Sequence, residues 1–160
     1  IAGRLEDVRL LPEDAPACPE ALSAIEYADW VVLGPGSWYT SVLPHLLLPQ
    51  LRQALVDTPA RRCLTMNLAV DTKETTGMSA ADHLRAIQRV APGFRVDAVI
   101  ADHASVADRA EFERVAAELG AQVLFDRVRS SGRRPVHDAL RLAGAYHEVF
   151  TGGGTPAAGR

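Results

Sequence analysis

Four short apolar runs recur along the chain, each closed by a turn signal and separated from the next by residues at helical spacing. They are Trp30-Val31-Val32-Leu33, Cys63-Leu64-Thr65-Met66, Val96 to Ala101, and Val123-Leu124-Phe125. The runs are continuously apolar instead of alternating, as strands buried on both faces require. A strand, a helix and another strand in the same sheet need a crossover, and such crossovers are right-handed and build a parallel sheet. The expected fold is therefore α/β, a mainly parallel sheet with helices over both faces.

Local signals place the helices. Leu22, Ile25 and Tyr27 form a rough stripe through residues 20–28, behind Pro19 at a position where a first turn tolerates it. Residues 41–57 are apolar at helical spacing but cut by Pro44 and Pro49, which predicts a short turn and then a helix from Pro49. Ser79 with Asp82 three residues on is a helix start, a hydroxyl cap and an acid at the positive end. Ser105 is expected to open the next helix and Gly120 to stop it. His137 to Phe150 reads as the last helix, with Leu140, Leu142, Ala143 and Tyr146 apolar. Upstream, Leu5, Val8, Leu10 and Leu11 suggest a strand ending at Pro12. One domain covers 1–150, and 151–160, with its three consecutive glycines, reads as a disordered tail.

Composition narrows the function classes. In 160 residues, 48% are hydrophobic and 23% charged, which excludes disorder as the main state. The net charge of −3 has the wrong sign for a nucleic-acid binder led by a basic surface. No apolar run is long enough to span a bilayer, so membrane insertion is not expected. Cys18 and Cys63 fit no metal or redox spacing, and two reduced thiols suit a cytoplasmic protein. Ile1 stands where an initiator Met would, so the sequence reads as the start of a segment inside a longer protein.

In a parallel sheet, ligands bind outside the carboxyl ends of the strands. Gly34-Pro35-Gly36-Ser37 follows the first strand there. Glycines let backbone N–H groups approach a ligand, a helix start favours anions, and Ser37, Tyr39, Thr40 and Ser41 add hydroxyls. The segment is either a cradle for phosphate or a plain tight turn; it matches neither the dinucleotide fingerprint nor the Walker A pattern. Asn67 closes the second strand and faces a long loop holding Asp71, Thr72, Lys73, Glu74, Thr75, Thr76 and Gly77. That loop suits a sugar, or a magnesium ion carried by phosphates, or it is a solvated surface loop. Asp102-His103 ends the third strand at the same edge, as a site candidate or as a cap for the following helix. Arg133, Arg134 and His137 form a small basic patch, able to pair with phosphate or to remain solvated. Asp82-His83 reads as a capping acid and a second-turn residue, not a metal site, since no further His or Cys lies at ligand spacing. Trp30 is expected in the core. Trp38, beside the glycine turn, is placed to stack on a base or cover the site.

The segment Ala28-Asp29-Trp30-Val31-Val32-Leu33-Gly34-Pro35-Gly36-Ser37-Trp38-Tyr39-Thr40-Ser41-Val42-Leu43-Pro44 resembles the signature of the gluconeogenesis factor family. Asn67-Leu68, Glu74-Thr75, Gly77, Ser79 and Asp82-His83 resemble its second signature, and His137-Asp138 with Leu142-Ala143 its C-terminal motif. Two positions depart from the pattern: Thr72-Lys73 stand where Pro-Gly is usual, and His45 where Asn is usual. The similarity runs from about residue 3 to residue 147 and covers only the second half of the family's length.

The resemblance implies a Rossmann-like three-layer α/β/α fold and a cytoplasmic bacterial protein related to 2-phospho-L-lactate transferase, a magnesium-using enzyme. It implies a regulator that binds a nucleotide sugar of the UDP-N-acetylglucosamine type and is linked to cell-wall synthesis proteins and cell shape, with no cofactor beyond magnesium on a phosphate. A magnesium-dependent phosphotransferase is the alternative. The implied ligand residues are Gly34, Gly36, Ser37, Tyr39, Thr40, Ser41, Asn67, Glu74, Thr75, Asp102, Arg134 and His137, with the diphosphate at the glycine turn and the sugar or base near Asn67, Glu74 and Thr75. Half a sheet leaves apolar edges uncovered, so the chain is expected to pair with a missing N-terminal half or with another copy.

Overall fold

A computed structural model describes residues 8–69, 72, 75–132 and 134–152. Four parallel strands, β1 Trp30–Leu33, β2 Arg61–Thr65, β3 Ala98–Asp102 and β4 Gln122–Asp126, lie side by side in chain order. Cys63 is level with Val32 on one side and with Ala98 on the other. Six helices accompany them: α1 Pro19–Glu26, α2 Pro44–Leu47, α3 Pro49–Asp57, α4 Ala80–Val90, α5 Arg109–Glu118 and α6 Ala139–Gly152, with a π-helical turn, Trp38–Val42, ahead of α2.

Successive side chains of a strand point to opposite faces, and the core divides accordingly. Leu33, Leu64, Val99 and Ala101 join the larger cluster with Trp38, Leu46, Leu84, Ile87, Phe112 and Val115. Cys63, Ala98 and Ile100 face the other way, onto Ala145, Leu142 and Tyr146 of α6. Right-handed crossovers between neighbouring strands all fall on one side, which puts α1 to α5 together and leaves α6 on the other. The three layers and the parallel sheet are those expected.

Several expected boundaries differ, each for a physical reason. The helix from Pro49 is where it was expected, and Pro44 opens the short α2 ahead of it, each proline in a first turn where the missing N–H costs nothing. Asp108, not Ser105, caps α5, accepting a hydrogen bond from the Glu111 N–H. The Ser105 hydroxyl is spent on the Leu68 carbonyl, 37 residues away, at 2.9 Å. Val8 to Leu10 form no strand, because the sheet ends at β1; residues 1–7 lie outside the described residues. Helix α6 begins at Ala139 and runs through Gly152, so Thr151 and Gly152, expected in the tail, are helical, and 153–160 lie outside the described residues. Its Leu140 points to solvent, 86% exposed. Trp30 is half-buried, between the Arg61 guanidinium at 4.3 Å and the Phe150 ring at 4.8 Å.

Candidate functional site

The site lies where the ends of β1 and β2 meet the start of α4 and the segment after β4. Gly34 turns the chain out of β1 with φ +75°, and a Cβ there would stand 2.6 Å from the Thr65 carbonyl oxygen. Only glycine permits both the dihedral and the approach. The Gly34–Pro35 bond is cis. Asn67 then clasps Gly36: its amide nitrogen donates to the Gly36 carbonyl at 2.6 Å, and its oxygen accepts the Gly36 N–H at 3.0 Å. Ser37 caps the π-helical turn by accepting from the Thr40 N–H, and its carbonyl accepts from Ser41.

This corrects the amide-cradle expectation. Pro35 has no N–H, and the Gly36 N–H is already bound to Asn67, so the glycine turn is fastened to β2 instead of presenting a row of free amides. The hydroxyls also disperse. Tyr39 is buried and donates to the Met78 sulfur at 3.5 Å, while Thr40 and Ser41 are exposed. Trp38 is 1% exposed, a core residue whose indole N–H donates to the His83 carbonyl.

A cavity of about 630 Å³ opens beside this turn, within the size range of small-molecule sites. Of the residues expected to hold a ligand, Gly36, Ser37, Asn67, Thr75 and His137 line it. Gly34 stands behind it in the turn. Asp102 is buried and off the wall, its two oxygens accepting the N–H groups of Ala104 and Arg129 at 3.0 Å each. Arg134 is exposed and also off the wall, and Glu74 lies outside the described residues. Thr72 and Thr75 share a 2.9 Å hydroxyl contact on one side of the cavity. Among the described residues the wall carries no Lys, Arg, Asp or Glu.

Sequence reasoning missed His83 as a wall residue. It is 1% exposed, packed edge-on against Trp38, with Nδ1 2.8 Å from the Ser79 carbonyl. A carbonyl only accepts, so Nδ1 carries the hydrogen and the ring is held as one tautomer. Burial pushes its pKa below the ordinary value, against the Ser79 carbonyl and the Asp82 carboxylate. The spacing to Ala80 and Ile87, on the same helix face, was the available signal.

His137 enters from the opposite wall. An isolated antiparallel bridge pairs its backbone with Arg129, folding the segment after β4 back over the cavity. Burial lowers its pKa; the Met66 carbonyl and Asp102 oppose that, and Arg129 adds to it. Beneath it, Arg129 donates to the Leu68 carbonyl at 2.7 Å and lies 3.8 Å from Asp102. These contacts hold the start of the 68–78 loop against the sheet. Among the described residues no group of three His, Cys, Asp or Glu is placed to hold a metal, and no helix is long and apolar enough to cross a membrane.

A parallel α/β sheet with helices on both faces, and a cavity at its carboxyl edge that is uncharged among its described residues, defines a Rossmann-like α/β domain. The chain belongs to the CofD family: the family described as "2-phospho-L-lactate transferase CofD" matches residues 1–141. It is 46% identical over 150 residues to a gluconeogenesis-factor homologue from Mycobacterium tuberculosis, a match covering 92% of this chain and 44% of that protein. It is 35% identical over 106 residues to the gluconeogenesis factor of Bacillus subtilis, covering 66% of this chain and 33% of the relative. A crystal structure of a Bacillus halodurans protein superposes with a TM-score of 0.76 at 31% identity, over 92% of this chain and 52% of the other. A second, of a UPF0052 family member from the same organism, gives 0.75 at 32%, over 89% of this chain and 50% of the other. The chain thus spans about half the length of these relatives.

Proposed function

We propose that this protein is a nucleotide-sugar-binding regulator of the gluconeogenesis factor type, acting in the cytoplasm on cell-wall synthesis proteins, and that the cavity beside Gly36 takes the sugar or nucleoside part of the ligand. One observation carries this reading: the wall is polar and aromatic but uncharged among its described residues, with the hydroxyls of Ser37, Thr72 and Thr75 beside two histidines. Such a wall suits hydroxyls and a ring more than a bare diphosphate, which needs donors or cations. With the Gly36 N–H spent on Asn67, this reading leaves the diphosphate to the part of the cavity wall that His137 lines.

Calorimetry with UDP-N-acetylglucosamine on the full-length protein is expected to show binding, weakened about 3- to 10-fold by Ser37→Ala, the worth of one hydrogen bond. Undetectable heat with UDP-N-acetylglucosamine, UDP-glucose and UDP-galactose alike rejects the reading.

The family match favours a second reading, a phospho-group transferase. The described residues do not fit a magnesium site, so no step is derived through that ion. Turnover of a phospho-donor with magnesium, abolished by a chelator, would establish it.

A further inference from the structure

His137 differs from every other polar side chain on the cavity wall. Its Nε2 is shut off from solvent and has no hydrogen-bond partner, while the ring itself forms part of the wall. A buried, unpaired imidazole nitrogen is costly, and a native structure keeps one only for a reason. His83, on the facing wall, has spent Nδ1 on Ser79. The Cβ–Cγ torsion of histidine is broad, and contact with a ligand requires that the ring turn Nε2 toward the cavity.

We propose that His137 is the anion-reading contact of this cavity: a ligand oxygen bearing negative charge meets Nε2, and the imidazole takes up one proton from solvent as the complex forms. The proposal rests on the cavity being the ligand site. The balance is simple. Neutral imidazole plus a solvent proton gives imidazolium, whose new N–H donates to the ligand oxygen, and no other bond forms or breaks.

The surroundings favour a ring that is neutral when empty and charged when filled. Facing His137 are the Asp102 carboxylate from the end of β3, the Arg129 guanidinium from the segment after β4, and the Met66 carbonyl after β2; His83 from α4 shares the cavity. Both Asp102 oxygens are already engaged by backbone N–H groups, and the Arg129 charge opposes a second cation. The empty site therefore keeps the proton off, and an arriving anion supplies the missing counter-charge. Affinity then tightens as pH falls toward the ordinary imidazole range, by at most about tenfold per pH unit for one proton.

The test uses the full-length protein and two probes without sharing a failure mode. UDP-N-acetylglucosamine carries no group that titrates near neutrality; inorganic pyrophosphate probes the anion contact alone. The His137 ring proton is followed by NMR through a pH titration, empty and with each probe, its signal assigned by its loss in His137→Gln. Calorimetry in two buffers of different ionisation heat counts the protons taken up with UDP-N-acetylglucosamine, because pyrophosphate itself titrates near neutrality. The expected result is an upward shift of the His137 midpoint and a buffer-dependent heat that vanishes in His137→Gln, with binding weakened. An unshifted midpoint with both probes, or a buffer-dependent heat retained in His137→Gln, overturns the proposal. A shift with pyrophosphate and no binding of the UDP-sugar upholds it while rejecting the nucleotide-sugar reading.

Discussion

At the turn after β1 the backbone of Gly34 passes so close to Thr65 that a methyl group has no room, and its φ of +75° is strained for any side chain. Gly34→Ala is expected to lower unfolding free energy by about 1–3 kcal/mol, seen as a lower urea midpoint with an unchanged slope. A variant as stable as the parent contradicts the turn geometry. The histidines give a second expectation. His83 and His137 both have folded pKa values below the ordinary imidazole value because burial disfavours the charged ring. The unfolded chain then binds more protons than the folded one in the window between the two values. Their contribution to stability is whole above the unfolded value of about 6.5 and is lost as pH falls below it. Urea midpoints should fall between about pH 7.5 and about pH 5.5, and a rise would count against burial of these rings.

At the scale of elements, α4 shows what local chemistry fixes. The Ser79 hydroxyl accepts from the Asp82 N–H at 3.1 Å, and the Asp82 carboxylate accepts from the Ser79 N–H at 2.9 Å. Ser79→Ala should cost about 1 kcal/mol, measured by thermal or urea unfolding, with most of the loss restored by Asp at the same position. This box was legible in the sequence because both partners lie within four residues. So were the strands, of which β3 is buried along its length while β1 and β4 are only half-buried at the sheet's edges, and the stop at Gly120, which has φ +88°. Ser105 was misread as a cap because its true partner, the Leu68 carbonyl, is remote in sequence and adjacent only once β2 and β3 pair. The choice between cradle and tight turn at Gly34–Ser37 stayed open in the sequence for the same reason. Gly36 looks free in the sequence, and nothing within ten residues announces that Asn67 will occupy it. Half of the site was thus visible as residue types, and its hydrogen bonding was not. His83 was hidden differently: it read as a second-turn residue beside a capping acid, and only its helical phase with Ile87 gives its burial away.

For the molecule as a whole, the unequal cover of the sheet matters most. Among the described residues strand β1 has a neighbour on one side only, and Val32, on the thinly covered face, is 41% exposed. An apolar groove of about 300 Å³, with Ile25, Val31, Leu51 and Leu55 among its lining residues, runs along that edge. The relatives are about twice as long, so in the longer protein other residues can cover this flank. The 160-residue chain alone is expected to self-associate in light scattering at micromolar concentration, and Val32→Lys to suppress that association. A monodisperse monomer would show that the flank needs no cover. The opposite consequence concerns α6, the one helix described on its side of the sheet, which has a single fully enclosed residue among those described, Ala145. A roof resting on so few beams lifts before the house falls. Deuterium should enter the amides of Ala139–Gly152 through openings that leave Ala98–Asp102 sealed, and whenever that roof lifts, His137, two residues upstream, is carried with it.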